Sequence, residues 1–259
     1  MMFVLKAEFL KFLYDIKKYR FNYTMGLISI FIFLLGLYWG AGEISKNSGG
    51  ATLFIGLILW IFASDSISDA SNHLFEERYY GTIEQLSITK YSLLSIFMAR
   101  FLAVFVFSLL EIVFLGLPLY FIFSPDLGVF FSNFRFTFIS IIVTISLIIT
   151  LYGFGLFLAA IGLKLKKVGA LSGIIRYLIL FFSGIIIPYD SMPYFLKIIS
   201  SILPMGIGIR ALSGLEKGVV YTHLILFCAL YSLLILFAGI ILFRMGIRHV
   251  KKTGEYSAY

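Results

Sequence analysis

The polar stretch Glu76–Leu86, which reads EERYYGTIEQL, is the part of the sequence best suited to recognising another molecule. It lies between two apolar runs in a chain that is 61% hydrophobic, so it is predicted to face water on one side of a membrane. A membrane protein that presents a structured polar segment there usually couples to a partner. The residues that could make such contacts are Glu76, Glu77, Arg78, Gly81, Thr82, Glu84, Gln85 and Leu86.

The middle of this stretch predicts a short helix. Gly81 can end the helix that continues from the preceding run, because glycine tolerates backbone conformations that break helices. Thr82 and Gln85 have the T-x-x-Q spacing of a capping box, and Glu84 would lie in the first turn, where a carboxylate favours the helix dipole. Leu86 and Ile88 would then need another surface to cover them. The spacing is equally compatible with a solvated loop whose caps only terminate helices.

Other residues offer weaker signals. Glu111 is the one acidic residue predicted deep in a long apolar run, where a carboxylate is costly and by default a functional candidate. It could bind cationic cargo or pair across a dimer, or it could be protonated or hydrogen-bond a neighbouring helix. Cys228 lies in an apolar run, which favours simple packing. His73, His223 and His249 are far apart in sequence and lack metal-ligand spacing, so no metal site is predicted.

The composition is that of an integral membrane protein. Its mean hydropathy is +1.01, and its 13% charged residues compare with about 25% in soluble domains. A bilayer core needs about 20 apolar residues per helix. We therefore expect residues 1–259 to form one all-α membrane domain with six transmembrane helices. The runs that qualify are roughly Tyr23–Gly40, Ala51–Ser64 (extending through Ile67), Leu93–Phe123, Phe136–Leu163, Val168–Ile187 and Thr222–Phe243.

The basic residues predict the orientation. Most of the 21 Lys and Arg residues flank one set of ends of these runs, and cytoplasmic loops carry an excess of positive charge. Both termini and the Glu76–Leu86 stretch are thus predicted to be cytoplasmic, with the chain in the plasma membrane. The net charge of +8 follows this distribution and does not indicate nucleic-acid binding. The opposite face has Lys46, Arg135, Lys197, Arg210 and Lys217.

Residues 1–21 predict an amphipathic helix that lies in the cytoplasmic interface of the membrane. Its basic region is long and contains Glu8 and Asp15, which is atypical of a signal peptide. A frayed basic leader is the alternative. The apolar residues that recur at helical spacing, with lysines between them, are Leu5, Phe9, Phe12, Leu13 and Ile16.

Residues 188–215 predict a pair of short apolar helices on the outer side. Pro188, Pro193 and Pro204 punctuate this segment, and proline cannot continue a straight helix. Such a pair suggests a re-entrant hairpin that dips into the membrane, and we expect it, with the preceding Ser183 and Gly184, to form an outer gate. The alternative is a seventh, proline-kinked span, which would move the basic carboxyl terminus to the wrong face.

Taken in this order, these features resemble the permease subunits of ATP-binding-cassette exporters, the type-2 permease family. The resemblance covers nearly the whole chain, from the interfacial first helix through the cytoplasmic helix between spans 2 and 3 to the re-entrant pair between spans 5 and 6. EERYYGTIEQL is similar to the family's E-R-x-x-G-T-x-E-x-L pattern. SGIIIPYDSMP, followed by ISSILP and IRALSGL, is similar to its outer hairpin.

The resemblance implies a dimer of permeases in a prokaryotic plasma membrane, each resting on a separate ATPase subunit. The second permease would be another copy of this chain or a homologous one. Glu76–Leu86 would be a coupling helix held in a groove of the ATPase, and that partner would bind ATP and magnesium. We expect this chain to bind no cofactor and to have no enzyme activity of its own. The absence of a G-x-x-x-x-G-K-[ST] phosphate loop from the sequence agrees with this expectation.

The resemblance places the substrate only coarsely. The hairpin is more similar to the drug-, antibiotic- and lipid-exporting branch than to the polysaccharide-exporting branch. We therefore expect export of an amphipathic or hydrophobic small molecule, peptide or lipid. A polysaccharide, glycolipid or cation exporter of the same family is one alternative. An ion-gradient-driven secondary transporter is another, although the sequence lacks the two similar halves and paired broken helices typical of that class.

Overall fold

The computed structural model describes residues 2–44, 50–165 and 168–253, and the fold of these ranges is all-α. A short 3-10 turn, Tyr189–Ser191, lies between α8 and α9. Lys46, one of the basic residues in the orientation prediction, lies outside the described residues. The helices are α1 (Met2–Lys18), α2 (Arg20–Ile44), α3 (Gly50–Tyr79), α4 (Thr82–Ser87), α5 (Leu93–Phe123), α6 (Gly128–Phe131), α7 (Phe134–Leu165), α8 (Gly169–Phe182), α9 (Tyr194–Ile202), α10 (Pro204–Glu216) and α11 (Thr222–Thr253).

Within these ranges, five helices are long and apolar enough to cross a membrane, and they agree with five of the six predicted spans. Several of them continue beyond the apolar stretch. Helix α3 in particular runs on to Tyr79 and so carries polar residues out of the membrane region. The qualifying stretches are Arg20–Ala41, Gly50–Ser68, Leu93–Phe123, Phe134–Leu163 and Thr222–Val250.

The predicted fifth span is not one long helix. Helix α8 has 14 residues, which gives about 21 Å of rise against a bilayer core of about 30 Å. The chain then becomes irregular at Ser183, and Gly184 takes a φ of 88°, a left-handed conformation that favours glycine. Ser183 through Ile186 are nonetheless buried. Irregular backbone at membrane depth is tolerated where protein surrounds it, so a crossing here would combine a short helix with a buried extended segment.

The segment after this irregular stretch folds as two short helices, as predicted. Helices α9 and α10 meet at Leu203 with a bend of 103°, so residues 188–215 are not one continuous helix. Pro193 is the N-cap of α9, and Pro204 is the first residue of α10, where proline needs no backbone donor. The corner is tight, since a Cβ added at Gly206 would lie 2.1 Å from the carbonyl oxygen of Ser200.

Helix α1 confirms the predicted amino-terminal helix and packs along α5. Phe9 and Phe12 both stack on Phe107, with ring centroids 5.1 and 4.4 Å apart. Leu10 and Tyr14 of the same helix are exposed.

Helices α7 and α11 approach each other closely through small residues. A Cβ added at Gly239 would lie 2.5 Å from the carbonyl oxygen of Gly153, and one at Gly153 would lie 2.7 Å from the side chain of Ile235. Small residues at helix interfaces let membrane helices pack backbone to backbone. Gly239 also lies close to Leu156, which belongs to the same apolar cluster as Ile83 of α4.

Candidate functional site

The short helix α4 forms where the sequence predicted it, but its amino terminus is built differently. Gly81 breaks the chain with a φ of 69° and is itself the N-cap, without a side-chain cap hydrogen bond. The capping-box prediction for Thr82 and Gln85 is therefore wrong. Thr82 is the first helical residue, and its hydroxyl donates to the carboxylate of Glu77 and, at 3.2 Å, to the Glu77 carbonyl. Gln85 is exposed, and Glu84 lies in the first turn as expected.

The inner face of α4 packs against the transmembrane helices. Ile83 is 1% exposed and belongs to a cluster that contains Phe97 of α5 and Phe243 of α11. Leu86 packs against a second cluster, which contains Val4 of α1. Leu86 therefore has the covering surface that was predicted for it, whereas the same prediction is wrong for Ile88, which is 85% exposed. Helix α4 is thus an extension of the packed bundle rather than a solvated loop.

The outer face of α4 is open. Tyr80 is 73% exposed and Ile88 is 85% exposed, and the side chains of Glu84 and Gln85 lie between them in sequence and are also exposed. We call these four residues the α4 surface. Exposed aromatic and aliphatic groups beside polar ones are typical of a protein interface.

Behind the α4 surface lies a buried charge network around Arg100. Its Nε donates to Glu8 Oε2 at 2.8 Å, and its Nη2 donates to Glu8 Oε1 at 3.2 Å and to Glu77 Oε1 at 2.8 Å. Lys11 Nζ donates to the same Glu77 oxygen at 3.2 Å. Thr82 completes the set, which we call the Arg100 network. It joins α1, α3, α4 and α5 at one point.

Burial and charge act in opposite directions on Glu77. Its side chain is 9% exposed and that of Arg100 is 6% exposed. Burial alone would raise the pKa of Glu77, but the hydrogen bond from Thr82 and the charges of Arg100 and Lys11 outweigh it, so the pKa is lowered. Glu77 is therefore held as a carboxylate that faces inward. From the sequence, Glu77 was one of the residues that could contact a partner; in this structure its carboxylate bonds Arg100, Lys11 and Thr82 instead.

Glu76 faces the other way. Its carboxylate is 58% exposed and lies 3.6 Å from His73 Nδ1, and the hydrogen bond with His73 is the largest cause of its lowered pKa. The side chain of Arg78 lies outside the described part of the chain.

Sequence reasoning missed Arg100, Glu8 and Lys11 as site residues. Signals existed, because Arg100 is a basic residue well inside an apolar run, and Glu8 and Lys11 lie three apart on one helix. What the sequence could not give was the packing of α1 on α5, which brings these groups together.

Polar groups also lie within the spans. Glu111 is half-buried in α5, but the prediction that it is the only acidic residue deep in a span is wrong. Asp65 lies in the apolar stretch of α3 and accepts a hydrogen bond from Ser108 Oγ at 2.6 Å. Arg176 of α8 donates to Ser64 Oγ at 3.1 Å. It was counted from the sequence as a residue of the cytoplasmic face, yet it lies two turns inside a helix.

The opposite end of the bundle is tied together by Glu216. Its carboxylate accepts from the backbone N–H groups of Ala51 at 3.1 Å and Thr52 at 3.0 Å, and from the Thr52 hydroxyl. A carboxylate at a helix amino terminus is favoured by the helix dipole. These bonds join the end of α10 to the start of α3, whose far end carries Glu77.

Of the predicted gate residues, Ser183 is buried without a hydrogen-bond partner for its hydroxyl, and Gly184 and Pro188 line a cavity.

No group of three His, Cys, Asp or Glu side chains that could hold a metal ion occurs in residues 2–44, 50–165 and 168–253.

The sequence matches the family model described as ABC-2 type transporter over residues 1–217. This match includes α1, α4 and the helical pair α9 and α10. A search of curated proteins finds no match.

Proposed function

The chain belongs to the ABC-2 type transporter family and is a membrane permease subunit, and we propose that a separate ATPase drives it by pressing on the α4 surface. The observation that carries this proposal is the Arg100 network. The buried charges connect α4, which carries the exposed α4 surface, to α3, α5 and α1. A displacement of α4 by a partner would therefore be transmitted to these three helices.

The attachment of α4 supports this role in two ways. Ile83 and Leu86 insert into apolar clusters shared with other helices, so a displacement of α4 must move or repack its neighbours. Glu77 connects Thr82, the first residue of α4, to Arg100 on α5. Arg100 in turn bonds Glu8 on α1. Packed interiors shift between discrete arrangements rather than deforming freely. The ATPase would hold ATP and magnesium, and this chain would hold neither.

The bent pair α9 and α10 would act as a gate at the opposite membrane face. Pro193 and Pro204 begin the two helices. The irregular segment that leads to them contains the buried Ser183 and Gly184 and the half-buried Pro188. Glu216 bonds the end of this unit to α3. A shift of α3 at its Glu77 end would therefore be transmitted to the α9–α10 pair, which we place on the outer side.

The cargo we propose is an amphipathic or hydrophobic small molecule, peptide or lipid. A groove of about 480 Å³ between α1 and α5 supports this choice. Its lining is apolar apart from Lys6. Such a lining suits an amphipathic molecule with a polar end better than a hydroxyl-rich chain. The lining residues are Leu5, Lys6, Phe9, Leu102, Ala103, Phe105 and Val106. The uncovered apolar faces of α2 and α11 would meet lipid and a second permease, either another copy or a homologous chain.

The coupling proposal can be tested by changing the α4 surface without touching the Arg100 network. We expect Glu84→Lys and Ile88→Asp to leave the permease inserted and monodisperse, because both side chains are exposed. Association with the ATPase should weaken about tenfold, or about 1.4 kcal/mol. The measurements are co-purification of the two subunits, followed by ATP turnover and export in liposomes.

The matched control is Asp126→Lys, an exposed charge reversal in the loop between α5 and α6, at the other end of the bundle. It should assemble and export as the wild type does. Wild-type assembly together with wild-type export in both α4-surface variants would show that α4 is not the point of coupling.

A further inference from the structure

A polar cavity at the membrane end opposite the Arg100 network is not used by the proposed coupling mechanism. It has a volume of about 100 Å³ and lies between the start of α3, the irregular segment after α8, and α10. A cavity of this size holds several water molecules, and so has room for a phosphate or carboxylate group. Its polar lining includes Thr52, Tyr189, Asp190, Arg210, Ser213 and Lys217.

The charges around this cavity are mostly positive. Lys217 Nζ bonds Asp190 Oδ2 at 2.7 Å, which pairs one cation with the one exposed carboxylate of the lining. Glu216, which is adjacent, is committed to the backbone N–H groups at the start of α3. Arg210 of the lining is not at salt-bridge distance from any acidic side chain of the described residues. Lys197 lies outside the lining but adds positive charge nearby, with its Nζ 5.7 Å from the centroid of the Tyr189 ring.

Arg210 is the group best placed to receive an anion. Its guanidinium carbon lies 3.7 Å from the centroid of the Tyr189 ring, and this cation–π contact fixes one face of the group. It forms no salt bridge or hydrogen bond with another side chain in the described ranges. A planar guanidinium held in this way presents its N–H groups in the fork geometry that matches phosphate and carboxylate oxygens.

An apolar surface adjoins the cavity. Tyr189, whose ring carries Arg210, has its hydroxyl 3.5 Å from Ser201 Oγ of α9. Helix α9 leaves a set of large apolar side chains uncovered, and they lie on the helix that follows Tyr189 directly. These side chains are Tyr194 (81% exposed), Phe195 (68%), Ile198 (45%) and Ile202 (63%). A ligand with an anionic head at Arg210 could therefore rest its apolar tail on α9.

We propose that this cavity binds the anionic headgroup of a phospholipid. Arg210 would be the main contact of the headgroup, and the exposed apolar side chains of α9 would contact an acyl chain. The site goes beyond the coupling role, since it requires neither the ATPase nor transport. Bound lipid would bridge the hairpin and the start of α3, the two elements that Glu216 already joins.

The test uses the full permease purified in nonionic-detergent micelles. The probes are fluorescent phosphatidylglycerol, fluorescent phosphatidylcholine and, as a competitor, inorganic phosphate. We expect the wild type to prefer phosphatidylglycerol at least tenfold. Arg210→Gln should remove most of that preference, and Arg210→Lys should retain part of it, because it keeps the charge but loses the fork. The matched control is Arg135→Gln, an exposed arginine at the start of α7 and outside the cavity lining.

Several results would overturn the proposal. The wild type could show no preference for the anionic lipid, a result that does not depend on any variant folding. Arg135→Gln could lose the preference as fully as Arg210→Gln, which would indicate a general charge effect. Inorganic phosphate could displace the lipid as effectively as unlabelled phosphatidylglycerol does, which would assign the cavity to a free anion. A failure of coupling would instead appear as altered ATP turnover with lipid binding intact, so the two proposals fail separately.

Discussion

Removing the Arg100 side chain is the sharpest test of how α4 is connected to the permease. Arg100→Leu would delete three hydrogen bonds to two carboxylates while keeping an apolar side chain within the bundle. Glu8 would be left 12% exposed without its guanidinium partner, and Glu77 would keep only Lys11 and Thr82. We expect a folded but weakened protein in which α1 and α4 keep their apolar contacts with α5 but lose the buried charges that join them to it.

The size of the effect follows from the burial of the charges. Removing one partner of a buried ion pair typically costs about 3–5 kcal/mol, because it strands a charge that water cannot reach. Each hydrogen bond to a charged group contributes about 1.5–3 kcal/mol. Simple addition over the three bonds would give about 4.5–9 kcal/mol, which is an upper limit because the bonds share the same groups and are not additive. Lys11, which is 52% exposed, still neutralises Glu77 in part. We therefore expect a loss of about 3–4 kcal/mol, measured as a lower apparent melting temperature in micelles.

A second variant separates stability from coupling. Replacing Glu8, Glu77 and Arg100 together with Leu removes all the buried charges and leaves only Lys11, which can turn to water. Replacing a whole buried charge cluster with apolar residues is often neutral or stabilising, so the melting temperature should recover. Export per ATP hydrolysed should not recover, because the charged connection between α4, α1 and α5 is still missing.

The assay compares the wild type, Arg100→Leu and the triple variant in liposomes with the ATPase, measuring ATP turnover and export on the same samples. Wild-type stability and wild-type export in Arg100→Leu would refute the reasoning. So would full recovery of export in the triple variant, since the network would then matter only for folding.

Three further predictions follow from other contacts. Gly239→Ala should cost about 1–3 kcal/mol through overpacking against Gly153, while Gly26→Ala, with nothing within 4 Å, should be neutral or stabilising in the same melting assay. Glu216→Ala should lower the melting temperature by removing the cap of α3, a loss of about 0.5–2 kcal/mol, and an unchanged value would mean that the bond adds nothing. Because the pKa of Glu77 is lowered from 4.5, its stabilising contribution is present above pH 4.5 and is lost as the pH falls below it. Glu77→Gln should accordingly flatten the decline of melting temperature in acid, and an identical decline would contradict the inward carboxylate.

The long helices could be predicted from the sequence because their cause is local. A run of about 20 apolar residues has few alternatives in a bilayer, and the predicted Leu93–Phe123 coincides with α5. The predicted fifth span is not one continuous helix, because the sequence stays apolar beyond the residue at which the helical backbone ends. Gly184 and Pro188 interrupt the helix, while the buried Ile185 and Ile186 keep the hydropathy high.

The position of the short helix α4 was predictable from the sequence, but its contacts with the other helices were not. Gly81 and α4 followed from glycine chemistry and spacing. The role of Thr82 did not, because the choice between capping its own helix and bonding Glu77 depends on where Arg100 and Lys11 hold that carboxylate. Their positions come from the packing of α1 on α5, a contact between segments about 90 residues apart that no local pattern encodes.

Helix α3 connects the two ends of the molecule, and this explains why both of its termini are fixed by charged groups. A rise of 1.5 Å per residue places Thr52 and Glu77 about 38 Å apart along its axis, more than the thickness of a bilayer core. At one end Glu77 meets Arg100, and at the other the backbone of Thr52 meets Glu216. Between them Asp65 is bonded to Ser108 of α5. A helix is stiff along its axis, so a displacement imposed at Glu77 reaches Glu216 as a shift rather than being absorbed in bending. The same rigidity means that a ligand holding the Glu216 end in place would resist a push applied at α4.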